Sequence, residues 1–283
     1  MSHFTVAVLT EKIENLEEML EPYNENIEVK PYIYQTKEEI IKKAKERKER
    51  ILKDEKKGKE IKDWEKEYIN AKTDEELYQI EKDDYEKYDE NGNELSTYNP
   101  KSKWDWYDVG GRWRNSLLTK ADNQDVIEEK SLQDLINGGA NLSKKAPTGY
   151  KWVDGARIKD IAFKKAMEFK DTYNKAIRFW ETYVEGQEPK TEEEKEDIKW
   201  AFYEKEHYIE RYKTKENYAK KESTFTCWAL LDEDGWHEKG LMGWWGLNDS
   251  TKESEELFIE KFTETINKPE NQDKYLIIVD CHI

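Results

Sequence analysis

The sequence opens and closes on apolar β runs, each with a histidine at its outer end. His3-Phe4-Thr5-Val6-Ala7-Val8-Leu9 stands near one terminus and Tyr275-Leu276-Ile277-Ile278-Val279-Asp280-Cys281-His282-Ile283 at the other, in a chain of 283 residues with four histidines. Apolar runs of this kind predict termini tied into the fold rather than frayed. Pairing the two strands antiparallel brings His3 beside Cys281 and His282. The two-residue period of a strand then puts Asp280 on the face of His282 and Cys281 on the opposite face.

Between these ends the pattern changes twice. Thr36 begins a Lys/Glu-rich stretch reaching about Tyr88, whose anchors Ile40, Ile51, Leu52, Ile61, Trp64, Tyr68, Leu77 and Ile80 predict one or two long helices with a narrow apolar face. A second helical region runs from Lys159 to about Tyr218. Phe225 to Leu231 reads as a strand, Asp232-Glu233-Asp234-Gly235 as a hairpin turn, and Ser254 to Ile266 as a helix with Leu257, Phe258, Phe262 and Ile266 at helical spacing. Gly138-Gly139 and Pro147 mark loops. The expected fold is α+β: a ferredoxin-like antiparallel sheet core over 1–35, 95–158 and 222–283, with charged helical insertions over 36–94 and 159–221.

Charged residues make up 40% of the chain, yet aromatics reach 13%, so aromatic packing compensates for a thin aliphatic core and argues against disorder. The net charge of −16 opposes direct binding to nucleic-acid backbones. It suits a basic protein partner, or maintains solubility. With only Cys227 and Cys281 there is no disulfide framework or cysteine zinc motif. The N-terminus shows no basic region followed by a long apolar stretch, and no window approaches the apolar length of a membrane span. A cytoplasmic protein without membrane partners is expected.

Three groups of residues could carry chemistry. His3, Asp280 and His282 could transfer protons, and His3, His237, Cys281 and His282 could bind a transition metal, although the spacing matches no standard metal motif. The same histidines could simply seal the strand ends through hydrogen bonds. His3-Phe4-Thr5 has the His-x-Thr form of two-histidine phosphoesterases, without a second copy. The segment containing Trp104, Asp105, Trp106, Gly110-Gly111, Arg112 and Trp113 could hold a nucleotide or an acidic side chain, or could be core with Arg112 paired to Asp105 or Asp108. Trp244 and Trp245 cannot both face one side of an extended segment, so one of them is expected at an interface. No cofactor is required by the sequence.

Ser2-His3-Phe4-Thr5-Val6, Tyr98-Asn99-Pro100-Lys101-Ser102-Lys103-Trp104-Asp105-Trp106-Tyr107 with Gly110-Gly111-Arg112-Trp113, Met242-Gly243-Trp244-Trp245-Gly246 and Val279-Asp280-Cys281-His282-Ile283 together resemble a bacteriophage protein family. The resemblance covers about a third of the chain and leaves the helical blocks unmatched. It implies a phage-encoded anti-defence protein, with the anti-Gabija class foremost, acting in the host cytoplasm. Such a protein would inhibit a host immune protein, which could be a nucleic-acid-binding one, through acidic and aromatic surfaces, and could be a homo-oligomer. The residues themselves leave open an alternative: a small enzyme or nucleotide-binding protein with a site at His3, Asp280, His282 and Arg112.

Overall fold

The computed structural model describes residues 2–128 and 145–283. The loop expected at Gly138-Gly139 lies outside them. The chain divides into two compact units, Met1–Asn24 with Ser102–Ile283, and Glu25–Lys101.

The larger unit is built on β1 (His3–Thr10) and β12 (Tyr275–His282), antiparallel over their full length from His3 opposite His282 to Thr10 opposite Tyr275. The two chain ends therefore meet as expected. In the smaller unit, β2 (Tyr32–Gln35), β3 (Lys87–Tyr88) and β4 (Glu94–Ser96) form a separate sheet in the order β2-β4-β3.

Further strands of the larger unit are β5 (Trp106–Val109), β6 (Leu117–Lys120), β7 (Val126–Ile127), β8 (Tyr150–Val153), β9 (Gly155–Arg157), β10 (Ala229–Asp232) and β11 (Gly235–Glu238). Strands β6 and β8 pair with each other, while the principal sheet runs β11-β10-β1-β12-β9-β7. The hairpin Ala229–Glu238 forms as its Asp-Gly turn predicts, but β10 lies parallel to β1, with Val6 opposite Ala229. The sheet is thus mixed and its order departs from the all-antiparallel ferredoxin-like expectation. Hydrophobic alternation assigns faces, not neighbours or directions, which is why the sequence was blind to this pairing.

Both faces of β1 and β12 are covered, so these strands read as continuous apolar runs. On one face Ala7, Leu9, Leu230, Leu276 and Ile278 pack with Leu117, Val153 and Ile158 against Phe258 and Phe262. Those phenylalanines lie four residues apart on the helix Lys252–Asn267, whose start is closed by a reciprocal Thr251–Ser254 capping box. On the other face Val6, Val8, Ala229, Leu231, Ile277 and Val279 pack against Leu16, Leu20 and Trp104.

The smaller unit holds three helices, Lys37–Lys56, Asp63–Asn70 and Asp74–Glu81, around Ala44, Ile51, Tyr68, Ala71 and Leu77. The expected long helices are broken because Gly58 takes a φ of +79° just past the first, and Thr73 starts the third with a capping box to Glu76. In the larger unit, the region after Lys159 forms helices at Phe163–Lys170, Thr172–Phe179, Glu192–Lys199, Lys205–Tyr212 and Lys215–Glu222. Ring contacts among Phe179, Tyr183, Tyr208, Tyr212 and Tyr218 hold part of it together, so aromatics do replace aliphatic core. No helix among the described residues is long and apolar enough to cross a membrane.

Candidate active site

At one end of the β1–β12 pair the apolar face gives way to polar side chains, and two carboxylate–histidine pairs form there. His3 Nδ1 lies 2.9 Å from Asp280 Oδ1. His282 Nδ1 lies 2.6 Å from Asp105 Oδ1. Because His3 and His282 are directly opposed in the register, their rings stand edge to face with centroids 4.9 Å apart. Cys281 points to the opposite, fully buried face, and burial pushes its thiol well above the ordinary range.

The outer edge of β12 explains how Asp105 and Asp280 are placed. Its first half pairs with β9 and its second half with β5, and the exchange falls at Ile278, whose N–H donates to Asp154 O and whose carbonyl accepts from Gly110 N–H, each at 2.8 Å. Pairing of β5 with Val279–His282 sets Trp106 opposite His282, and the preceding Asp105 N–H donates to His282 O at 3.0 Å. After β5 the chain turns back through Gly110 and Gly111. The Arg112 N–H that follows donates to Asp280 Oδ2 at 2.9 Å, so the second carboxylate oxygen is also held.

Gly111 has a φ of +46°, and a Cβ there would fall 2.3 Å from Asp280 Cβ. The glycine pair therefore serves close backbone approach to a buried aspartate, which is 2% exposed. A second buried aspartate, Asp154, accepts the Asn115 N–H at 2.6 Å from the same loop.

An ionised carboxylate only accepts hydrogen bonds, so each Nδ1 facing one carries the hydrogen. Each Nε2 then presents a lone pair, or a second N–H when the ring is protonated. Neither Nε2 has a hydrogen-bond partner among the described residues, and neither is a fully buried orphan. Trp106 stacks on His282, with centroids 5.2 Å apart at 18°, and meets His3 edge-on at 5.4 Å. Trp106 is 45% exposed. The arrangement can take up and deliver protons at two neighbouring, oriented nitrogens.

The remaining candidates are dispersed. His237 Nε2 lies 3.1 Å from Asp232 Oδ1 across its own hairpin. Among the described residues no group of three or more His, Cys, Asp or Glu side chains is arranged to hold a metal. Trp104 is buried and its Nε1 donates to Leu20 O at 3.3 Å, and Trp113 packs against the core. The expected pairing of Arg112 with Asp105 or Asp108 is corrected: Arg114 pairs with Asp108 at 3.4 Å, because the Gly-Gly turn sends the Arg112 backbone, not its guanidinium, to the aspartate. The Arg112 side chain is exposed.

In the Met242–Asn248 loop, Ser2 Oγ donates to Gly243 O at 2.7 Å and accepts from Gly246 N–H at 2.6 Å. That clasp holds Trp245 at a φ of +57° with its indole 76% exposed. The side chain of Trp244 lies outside the described residues.

The role of Asp105 as the second carboxylate was the main feature missed by sequence reasoning, as was the stacking of Trp106. Both depend on β5 bonding to the last half of β12, and no local signal in 104–109 announces that partner. Comparison with known proteins gives no further guide: no family model, curated protein or solved structure matches the chain.

Proposed function

We propose that the paired carboxylate–histidine dyads form the active site of a small phosphoesterase. The observation carrying this reading is that both Nδ1 atoms are occupied by carboxylates while both Nε2 atoms lack a partner among the described residues. One Nε2 takes the proton from an attacking hydroxyl or water. The other, carrying hydrogen, protonates the leaving oxygen as the phosphorus–oxygen bond breaks, so each ester cleaved returns the pair to its starting proton count. Asp280 and Asp105 hold the rings in the required tautomer, and Arg112, whose backbone N–H is bonded to Asp280 and whose side chain is exposed, is available as a planar donor for non-bridging oxygens. The charge of −16 favours a small substrate over a nucleic-acid polymer.

Hydrolysis of bis(4-nitrophenyl) phosphate and of 2′,3′-cyclic nucleotides tests the reading. His3→Ala and His282→Ala should each lower kcat by about 10²–10⁴ with the fold retained. Asp280→Asn and Asp105→Asn should lower kcat with little change in KM. Folded histidine variants as active as the wild type, or a wild-type protein that neither binds nor turns over such esters, would defeat it.

A second reading follows the sequence resemblance: a phage-encoded inhibitor that binds a basic host defence protein in the host cytoplasm. It is favoured by the exposed apolar loop residues Leu241, Trp245 and Leu247. Size-exclusion chromatography with a Gabija complex, using the wild type and Trp245→Ser, tests it; co-elution lost in the variant supports it and separate elution of the wild type counts against it.

A further inference from the structure

Trp106 has one ring face against His282 and nearly half its surface in solvent, although an indole this close to core strands would ordinarily be covered. Its position is fixed from two sides: its backbone pairs with His282 across the sheet, and its ring lies edge-to-face with that of His3. The half-exposed indole is thus a plane held beside the His3 and His282 rings. A plane in that place suits a ligand with a flat ring joined by a short linker to an anionic ester. Nearby Trp104 does not share this property, being buried.

We propose that Trp106 is a specificity-determining platform, on which the heteroaromatic ring of a small nucleotide stacks while its phosphate lies against His3 and His282. This rests on the phosphoesterase reading and adds the substrate class to it. Stacking of a base on an aromatic side chain tolerates any base, so the platform selects for the presence of a ring rather than its identity. The acidic chain again confines the ligand to small molecules, because a longer strand would bring further phosphates against a surface without basic excess.

The test compares binding of adenosine 5′-monophosphate with binding of ribose 5-phosphate, which lacks the ring, by calorimetry on the full chain. The wild type should bind the nucleotide on the order of tenfold more tightly. Trp106→Leu should remove that advantage while leaving ribose 5-phosphate binding unchanged, and Trp106→Phe should restore most of it. If the two ligands bind the wild type equally, or if Trp106→Leu weakens both alike, the platform is refuted and the dyads stand. Failure of the wild type to bind either phosphate overturns the platform together with the reading beneath it. A role confined to shielding His282 would weaken both ligands together, so the ring-dependent difference separates stacking from shielding.

Discussion

Substituting Gly111 by alanine tests the cradle that holds Asp280. The added Cβ would lie 2.3 Å from Asp280 Cβ and 2.5 Å from its Oδ2, and the residue sits at a φ of +46°. A left-handed non-glycine residue costs about 1 kcal/mol, and forcing a carbon into a packed site adds about 2 kcal/mol. The expected loss is therefore about 3 kcal/mol, or about 6–12 °C in Tm for a domain of this size. Gly186 provides the control, because it has a φ of +77° but a Cβ added there would meet nothing within 4 Å. Gly186→Ala should lose only the conformational part, about 1 kcal/mol. Paired urea unfolding curves read the difference. Equal losses at the two sites would show that the carboxylate moves aside freely and that the glycine pair does not exist to seat Asp280. Under the phosphoesterase reading, Gly111→Ala should also lower kcat at temperatures where the protein remains folded, since His3 loses its orienting partner.

Burial pushes the Cys227 thiol up to about 12 and raises that of Cys281, so neither should react with an aromatic disulfide reagent at pH 8 until the protein unfolds; rapid native-state labelling would contradict this. Hydrogen bonding to Arg178, then to the Lys190 N–H, lowers Glu194 to about 2, so its stabilisation is present at neutral pH and lost as the pH falls from its ordinary value of 4.5 toward about 2. Glu194→Gln should flatten that part of the acid-unfolding profile, and an unchanged profile would show that the Arg178 pair contributes nothing there. Trp245→Asn should relieve about 0.5–1 kcal/mol of backbone strain, because asparagine accepts the left-handed conformation at φ +57°; a lower Tm would show that the contacts of the indole outweigh that strain.

The terminal strands were legible because they combine a long apolar run with polar residues only at one end, and strand periodicity then placed His3, Asp280 and His282 on one face with Cys281 behind them. The Ala229–Glu238 hairpin was legible from its Asp-Gly turn, and the helix Lys252–Asn267 from the spacing of Phe258 and Phe262. What stayed hidden concerns partners. The parallel placement of β10 beside β1, the sharing of one β12 edge by β9 and β5, and the delivery of Asp105 to His282 join residues far apart in the chain, where local pattern carries no register information. The long charged helices were overestimated because helix propensity in a Lys/Glu-rich stretch is nearly uniform; the breaks are set by single residues such as Gly58 and Thr73.

The strand made from residues 275–282 bonds to β1 on one side and to β9 and β5 on the other, so it is the seam of the sheet as well as one wall of the site. During synthesis these residues emerge after the other described strands have been made. Until they arrive, β1 and β10 on one flank and β5, β7 and β9 on the other have no common neighbour and carry open edges. The principal sheet is therefore incomplete until β12 has paired, and a chain cut before Tyr275 would expose unpaired strands along with losing its histidine pair. Order of synthesis thereby ties the appearance of the two dyads to the completion of the sheet.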